Sequence, residues 1–377
     1  MVKSDYQDRA RGMLVGLAVG DALGAPYEFG YKSWDIEELG DKIKHYSDYN
    51  DHAAGCWTDD TSMALCIADS LLEKRGYDSY DVMDKYIHWW IDAYRSSDLH
   101  SFGIGQQTAH SLLLYGKYKI IPKDTKKTDL AGNGTIMRLA PIVIANYFPD
   151  KKCTGKITNS ELKPLADMAI LSCRDTHDSI AAECVTEMFA TTLYAALRGK
   201  DKTDVQCFAQ RWSQYENEEY DKFWVNNADL LIDRAFKDGE KLKDLGGYVV
   251  DAFAIALWGF VHSESFEDGM LKVLRLGGDV DTNAACYGQI AGAYYGYKAI
   301  PKEWRDGIYD AKDIVKLADK LLEMKECPII RSRFEDDENF EAISNEDYEK
   351  SIEYYSRTMA KPKSMSEIMK ERLGKNK

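Results

Sequence analysis

The sequence predicts an all-α fold, and three observations predict it. Apolar residues recur at three-and-four spacing in thirteen successive segments, no segment alternates convincingly with the two-residue period of a strand, and 377 residues include only eight prolines. With 45% apolar content the chain can bury a large core. A compact, orthogonal globule of a dozen or so helices is therefore expected.

The periodicity places the helices at 6–24, 60–75, 80–95, 105–116, 134–148, 161–172, 178–198, 203–215, 226–236, 248–262, 266–275, 281–297 and 312–324. In the first of these, Gly12, Gly16, Gly20 and Gly24 fall four apart, and Gly288, Gly292 and Gly296 do the same near the end. Glycine inside a helix costs about 1 kcal/mol against alanine, so each stripe implies close approach of another backbone. These two helices are expected at the centre, their glycines serving packing. Cys66, Cys184 and Cys286 fall within helical apolar patterns, and none of the eight cysteines forms a CxxC or a Cys/His pair at zinc spacing. They are expected to be reduced core residues.

Residues 1–328 read as one domain. From about Phe334 the composition changes: Glu335, Asp336, Asp337, Glu338 and Glu341 form an acidic stretch, 345–358 a polar helix, and the end is rich in lysine. Residues 329–377 are read as a charged, partly helical extension, a solvated appendage able to dock on the body or on a second subunit. The net charge of -14 and pI near 5.1 oppose a protein that tracks a nucleic-acid backbone, which needs a basic face. No secretory signal and no apolar run of about 18 residues is evident, so a cytoplasmic monomer with no membrane association is the expectation.

Two short runs of oxygen ligands stand out, Thr58-Asp59-Asp60-Thr61 and Asp279-Val280-Asp281-Thr282. Both lie where a loop turns into a helix, in segments apolar enough to be buried. Burying unpaired carboxylates costs on the order of several kcal/mol, so such clusters answer to a cation, a hydrogen-bond network or both. Magnesium and manganese prefer such oxygens, and two ions can share a carboxylate. Helix capping by Asp59 and Asp279 is the plain alternative. A calcium loop fails because its sixth and twelfth places hold Ala284 and Ile290, and a DDxxD run starting at Asp59 fails at Met63.

The run from Gly16 through Asp21 to Glu28, then Trp57-Thr58-Asp59-Asp60-Thr61, Gly132-Asn133-Gly134-Thr135-Ile136-Met137-Arg138 and Gly277-Gly278-Asp279-Val280-Asp281-Thr282, in this order, resembles the successive motifs of the ADP-ribosylglycohydrolases. The likeness covers about residues 8–300 and includes Gly247-Tyr248-Val249-Val250-Asp251. It implies two Mg2+ or Mn2+ ions in a cleft and hydrolysis of the bond between the distal ribose of ADP-ribose and an acceptor on a protein or small molecule. By matching motif, Thr58, Asp59, Asp60, Asp279, Asp281 and Thr282 are implied metal ligands. Glu28 matches a catalytic glutamate, with Asp59 and Asp60 beside it. Gly105, Asn133, Gly134, Thr135, His177 and Tyr248 are implied substrate contacts, with Tyr248 stacking on adenine and the Gly132–Gly134 turn holding the diphosphate.

Gly103 is placed where arginine-specific relatives often carry an aspartate, and so predicts open room and an oxygen-linked acceptor such as serine. ADP-ribosyl-arginine hydrolysis, a non-catalytic ADP-ribose-binding role and a hydrolase of another small glycoside or phosphoester are the alternatives.

Overall fold

A computed structural model describes residues 3–30, 32, 35, 38–119, 121, 131–148, 156–177, 179–209, 222–223 and 239–332. Thirteen α-helices occur among the described residues: α1 Lys3–Gly24, α2 Asp59–Lys74, α3 Ser79–Asp92, α4 Gln106–Tyr118, α5 Ala140–Ala145, α6 Asn159–Arg174, α7 Ile180–Leu197, α8 Lys202–Ala209, α9 Val249–Val261, α10 Phe266–Leu274, α11 Val280–Tyr295, α12 Lys302–Gly307 and α13 Ala311–Leu322.

The two glycine-striped helices, α1 and α11, are the central pair. Glycines four apart share a face, and on that face the backbones touch. A Cβ built on Gly12 would lie 2.2 Å from Gly292 O, one on Gly16 2.2 Å from Gly288 O, and one on Gly20 2.1 Å from Ala284 O. Gly296 belongs to the turn after α11, where φ is +89°. Around this pair pack α7, α9, α10 and α13, with Phe189 of α7 edge-on to Phe253 of α9 at 5.8 Å.

The predicted helix 134–148 is broken. Residues Asn133–Thr135 form a 3-10 turn, and the α-helix starts only at Ala140. Pro141 has no N–H, which suits a first turn and no interior position. The unwound stretch is satisfied by the Gln289 side chain of α11, which donates to Ile136 O and Met137 O at 3.0 Å each and accepts from Ala140 N at 2.9 Å. Helix 203–215 is described to Ala209. The predicted helices 226–236 and 345–358 lie outside the described residues. Strands β1 (Tyr77–Asp78) and β2 (Ile329–Arg331) form a short parallel pair that the sequence pattern did not suggest, so the first residues assigned to the extension lie against the body.

α7 is, by length and composition alone, an 18-residue span able to cross a bilayer, contrary to the expectation that no run reaches that length. It is 89% buried in the protein and carries Glu183 and Glu187, as a core helix does. Cys56, Cys66, Cys173, Cys184, Cys286 and Cys327 are buried and free, as expected, whereas Cys207 is free and exposed.

Candidate active site

The two acidic clusters meet. Thr58 Oγ1 stands 3.3 Å from Asp60 Oδ2 and 3.4 Å from Asp281 Oδ2, and Thr282 Oγ1 donates to Asp60 Oδ2 at 3.3 Å. Residues more than 220 positions apart thus share one buried focus. Capping does not explain it: neither Thr58 nor Asp279, the N-cap residues of α2 and α11, caps its own helix with its side chain.

The Thr61 N–H in the first turn of α2 and the Thr58 N–H just before it are taken instead by Asp21 of α1, a motif residue to which the sequence assigns no role. Asp21 Oδ1 accepts from Thr58 N at 2.8 Å, and Oδ2 accepts from Thr61 N at 2.9 Å and from Thr61 Oγ1 at 2.6 Å. This capping from another helix leaves the side chains of Thr58, Asp59 and Asp60 free for the cleft. The available signal was an acid in the last turn of the apolar, glycine-striped half of α1.

Glycine packing sets the register. A Cβ on Gly24 would lie 2.4 Å from Asp281 Cα, so the end of α1 rests on the start of α11 and brings Asp21 to Asp281. Pro26 then ends α1 in a short 3-10 turn, and Phe29 N donates to Gly278 O at 3.0 Å, holding the Glu28 loop beside Asp279.

Two trios of carboxylates, Asp21–Asp60–Asp281 and Glu28–Asp279–Asp281, each offer oxygens within 4.8 Å of one another, with Asp281 common to both. Asp59 belongs to neither and lines the adjoining cavity. Oδ1 of Asp60 is buried with no hydrogen-bond partner among the described residues. Burial raises these acids, Asp21 to about 6 against the hydrogen bonds it accepts from Thr58 and Thr61, and burial with repulsion from neighbouring carboxylates raises Asp59 to about 7, Glu28 to about 8, and Asp60 and Asp281 well above the ordinary range. Burial raises Asp279 as well, opposed by its hydrogen bond from Asn133. A crowd of dry oxygen donors that resist ionisation, one of them with no donor to accept from, suits a hard divalent cation.

Two cavities adjoin the cluster and share Glu28 and Gly103. The first, about 620 Å³, is lined by Asp59, Gly105, Gln107, Asn133, Gly134, His177, Asp279, Asp281 and Thr282 among others. The second, about 600 Å³, is lined by Thr58, Asp48, Tyr49, His52 and Phe102 among others, with the His52 ring stacked on Phe102 at 3.8 Å. The Tyr49 hydroxyl is buried there without a partner among the described residues.

In the first cavity Asn133 Nδ2 donates to Asp279 Oδ2 at 2.9 Å, tying the glycine turn to the acidic cluster. The His177 ring packs on that turn. A Cβ on Gly132 would lie 3.1 Å from its Nε2 and one on Gly134 2.9 Å from its Cε1, so these glycines make room for the imidazole. Two predicted contacts stand apart from this lining. Thr135 is buried and accepts from Thr186 Oγ1 at 2.8 Å, and Tyr248, 37% exposed, flanks Gly247 at the rim.

Gly103 lines both cavities, but the open room does not lie where its side chain would stand. Its φ is +85°, and a Cβ would stand 2.5 Å from Asp59 Oδ1 and 3.0 Å from Thr58 Cβ. The positive φ favours glycine here, and a side chain would have to displace the Asp59 carboxylate.

The family profile for ADP-ribosylglycohydrolase matches residues 2–328. The chain is 32% identical over 320 residues to the ADP-ribosylarginine hydrolase Tri1 of Pseudomonas putida (strain GB-1), covering 84% of this chain and 78% of that protein. To the ADP-ribosylarginine hydrolase Tri1 of Serratia proteamaculans (strain 568) it is 31% identical over 330 residues, with 85% and 81% covered. A solved structure described as an ADP-ribosylglycohydrolase-related protein complex superposes with a TM-score of 0.65 at 32% identity, covering 86% of this chain and all of that one.

Proposed function

The chain belongs to the ADP-ribosylglycohydrolase family and is a glycosyl hydrolase acting on ADP-ribose; from that premise we propose that it removes ADP-ribose from modified arginine side chains in a metal-dependent reaction. The observation that carries this reading is the meeting of buried Asp21, Asp60, Asp279 and Asp281 with half-buried Glu28 beside two cavities. One cavity suits the nucleotide: the Gly132–Gly134 turn and His177 offer close backbone approach and a ring nitrogen. The other suits a cationic acceptor, with Asp48, Tyr49 and the stacked His52 and Phe102 on its wall.

Asp60, Asp279 and Asp281 would hold the cation with the Thr58 and Thr282 hydroxyls, Asp21 would orient the start of α2 behind them, and the shared Asp281 supports a pair of ions. Bound there, magnesium or manganese neutralises the acids and polarises ribose and water oxygens. Glu28 lines both cavities, so its carboxyl is near any bond that spans them; it would pass a proton to the departing guanidine nitrogen or take one from the attacking water. Arginine is preferred to serine because the relatives at 31–32% identity are ADP-ribosylarginine hydrolases.

The test incubates the protein with ADP-ribosylated arginine and serine peptides, with magnesium or manganese and with chelator. Release from the arginine peptide, abolished by chelator, is expected. Release from serine alone overturns the acceptor; chelator-indifferent failure on both overturns the enzymatic reading.

A further inference from the structure

His177 is 2% exposed, lines the first cavity and makes one side-chain hydrogen bond among the described residues, from Nδ1 to Thr176 Oγ1 at 2.8 Å. The direction of that bond follows from a third residue. Arg138, fully buried, reaches the same Thr176 Oγ1 through a guanidinium nitrogen at 2.6 Å. A guanidinium only donates, so Thr176 Oγ1 accepts from Arg138. The hydroxyl then has one proton and, among the described residues, one remaining partner, His177 Nδ1.

We propose that Arg138 is a positioning residue that acts through Thr176 to hold His177 as the Nε2–H tautomer, presenting a fixed donor to an oxygen of the ligand in the first cavity. The reverse arrangement, with Nδ1–H donating, would give Thr176 Oγ1 two donors and leave its own proton without an acceptor, a costly state for a buried hydroxyl. Arg138 is itself held by Ser172 O at 3.4 Å and by the Tyr86 ring, 5.0 Å from its guanidinium carbon. Burial and the Arg138 charge also keep His177 neutral, lowering its pKa to about 3. The backbone of Thr176 is pinned separately, its carbonyl accepting from Gln107 Nε2 at 3.0 Å and Ser111 Oγ at 2.7 Å. Loss of the hydroxyl therefore need not displace the segment.

The inference rests on the nucleotide reading of the cavity only for the ligand's identity, and the experiment separates the two. Nitrogen-15 spectra of histidine-labelled full-length protein without ligand report which ring nitrogen of His177 carries hydrogen, the signals being assigned by their loss in His177→Gln. Nε2–H is expected in the wild type, a tautomer mixture in Thr176→Val and in Arg138→Met, and recovery in Thr176→Ser and Arg138→Lys. ADP-ribose affinity measured by calorimetry is expected to fall about tenfold in Thr176→Val, as for one lost hydrogen bond, and to recover in Thr176→Ser. An Nδ1–H signal in the wild type, or an unchanged tautomer in Thr176→Val, overturns the proposal; the Thr176 pair decides it even where Arg138→Met does not fold. A shifted tautomer with unchanged ADP-ribose affinity leaves the relay standing and overturns the nucleotide assignment.

Discussion

Gly24 and Asp281 are in backbone contact, with no space between them for a methyl group. The same interface has the same tightness at Gly288, where a Cβ would stand 1.9 Å from Gly16 O, yet only the Gly24 end adjoins the carboxylates. Overpacking of this kind costs about 1–3 kcal/mol or more. Gly288→Ala and Gly24→Ala should both lower the melting temperature by several degrees, whereas Gly246→Ala, with nothing within 4 Å of its Cβ, should be near neutral. Only Gly24→Ala should also weaken metal-induced stabilisation in a thermal shift assay. Equal metal responses in the two interface variants would separate helix packing from site assembly and refute the link.

Asp21→Asn tests the capping from α1. Three donors converge on this carboxylate. An amide keeps one acceptor oxygen and turns an N–H toward donors, so the start of α2 loses at least one hydrogen bond. The expected cost is about 1–3 kcal/mol in unfolding free energy. Metal affinity should fall about 10–100-fold, as it does when groups that orient ligands are lost. Calorimetric titration with manganese beside urea unfolding reads both; wild-type metal affinity would show that Asp21 serves the fold alone.

Much of this site was legible as local pattern. The acidic pairs at 59–60 and 279–281, the Asn133 turn and the glycine stripes are short, dense signals, and helical periodicity located most helix starts within a few residues. Asp21 was missed because its meaning is tertiary: it becomes a cap only once α1 lies beside α2. The break at 136–140 was missed for the same reason, since the groups that make it tolerable belong to Gln289, about 150 positions away. β1 and β2, two and three residues long, are too short to show a period. At Gly103 the sequence records only an absent side chain, whereas the positive φ and the nearness of Asp59 appear only in the fold.

Glu28→Gln should separate binding from chemistry. The amide keeps the shape but neither gives nor takes a proton at neutral pH, so kcat on the cleaved peptide should drop about 10²–10⁴-fold. ADP-ribose affinity, which rests on the glycine turn and His177, should change little. A variant with kcat near wild type would remove Glu28 from proton transfer.

The buried acids make the metal-free fold sensitive to alkali. Asp59 and Glu28 are held at about 7 and about 8, against ordinary values of 3.8 and 4.5, chiefly by burial. For groups raised in the folded state, the stability contribution is complete below the ordinary pKa and is lost as pH rises through the folded one. The buried histidines act oppositely. His110 and His177 are lowered by burial from 6.5 to about 4 and about 3, so stability is lost as pH falls below 6.5, where the unfolded chain takes up protons that the folded one refuses. Between pH 6.5 and 8 the carboxylates therefore dominate. The melting temperature of chelator-treated protein should fall across that interval, and magnesium or manganese should restore more at pH 8 than at pH 6.5, because the cation competes with protons for the same oxygens. Differential scanning calorimetry at matched ionic strength measures this. A metal increment independent of pH would mean that the ions bind away from Asp60, Asp281 and Glu28.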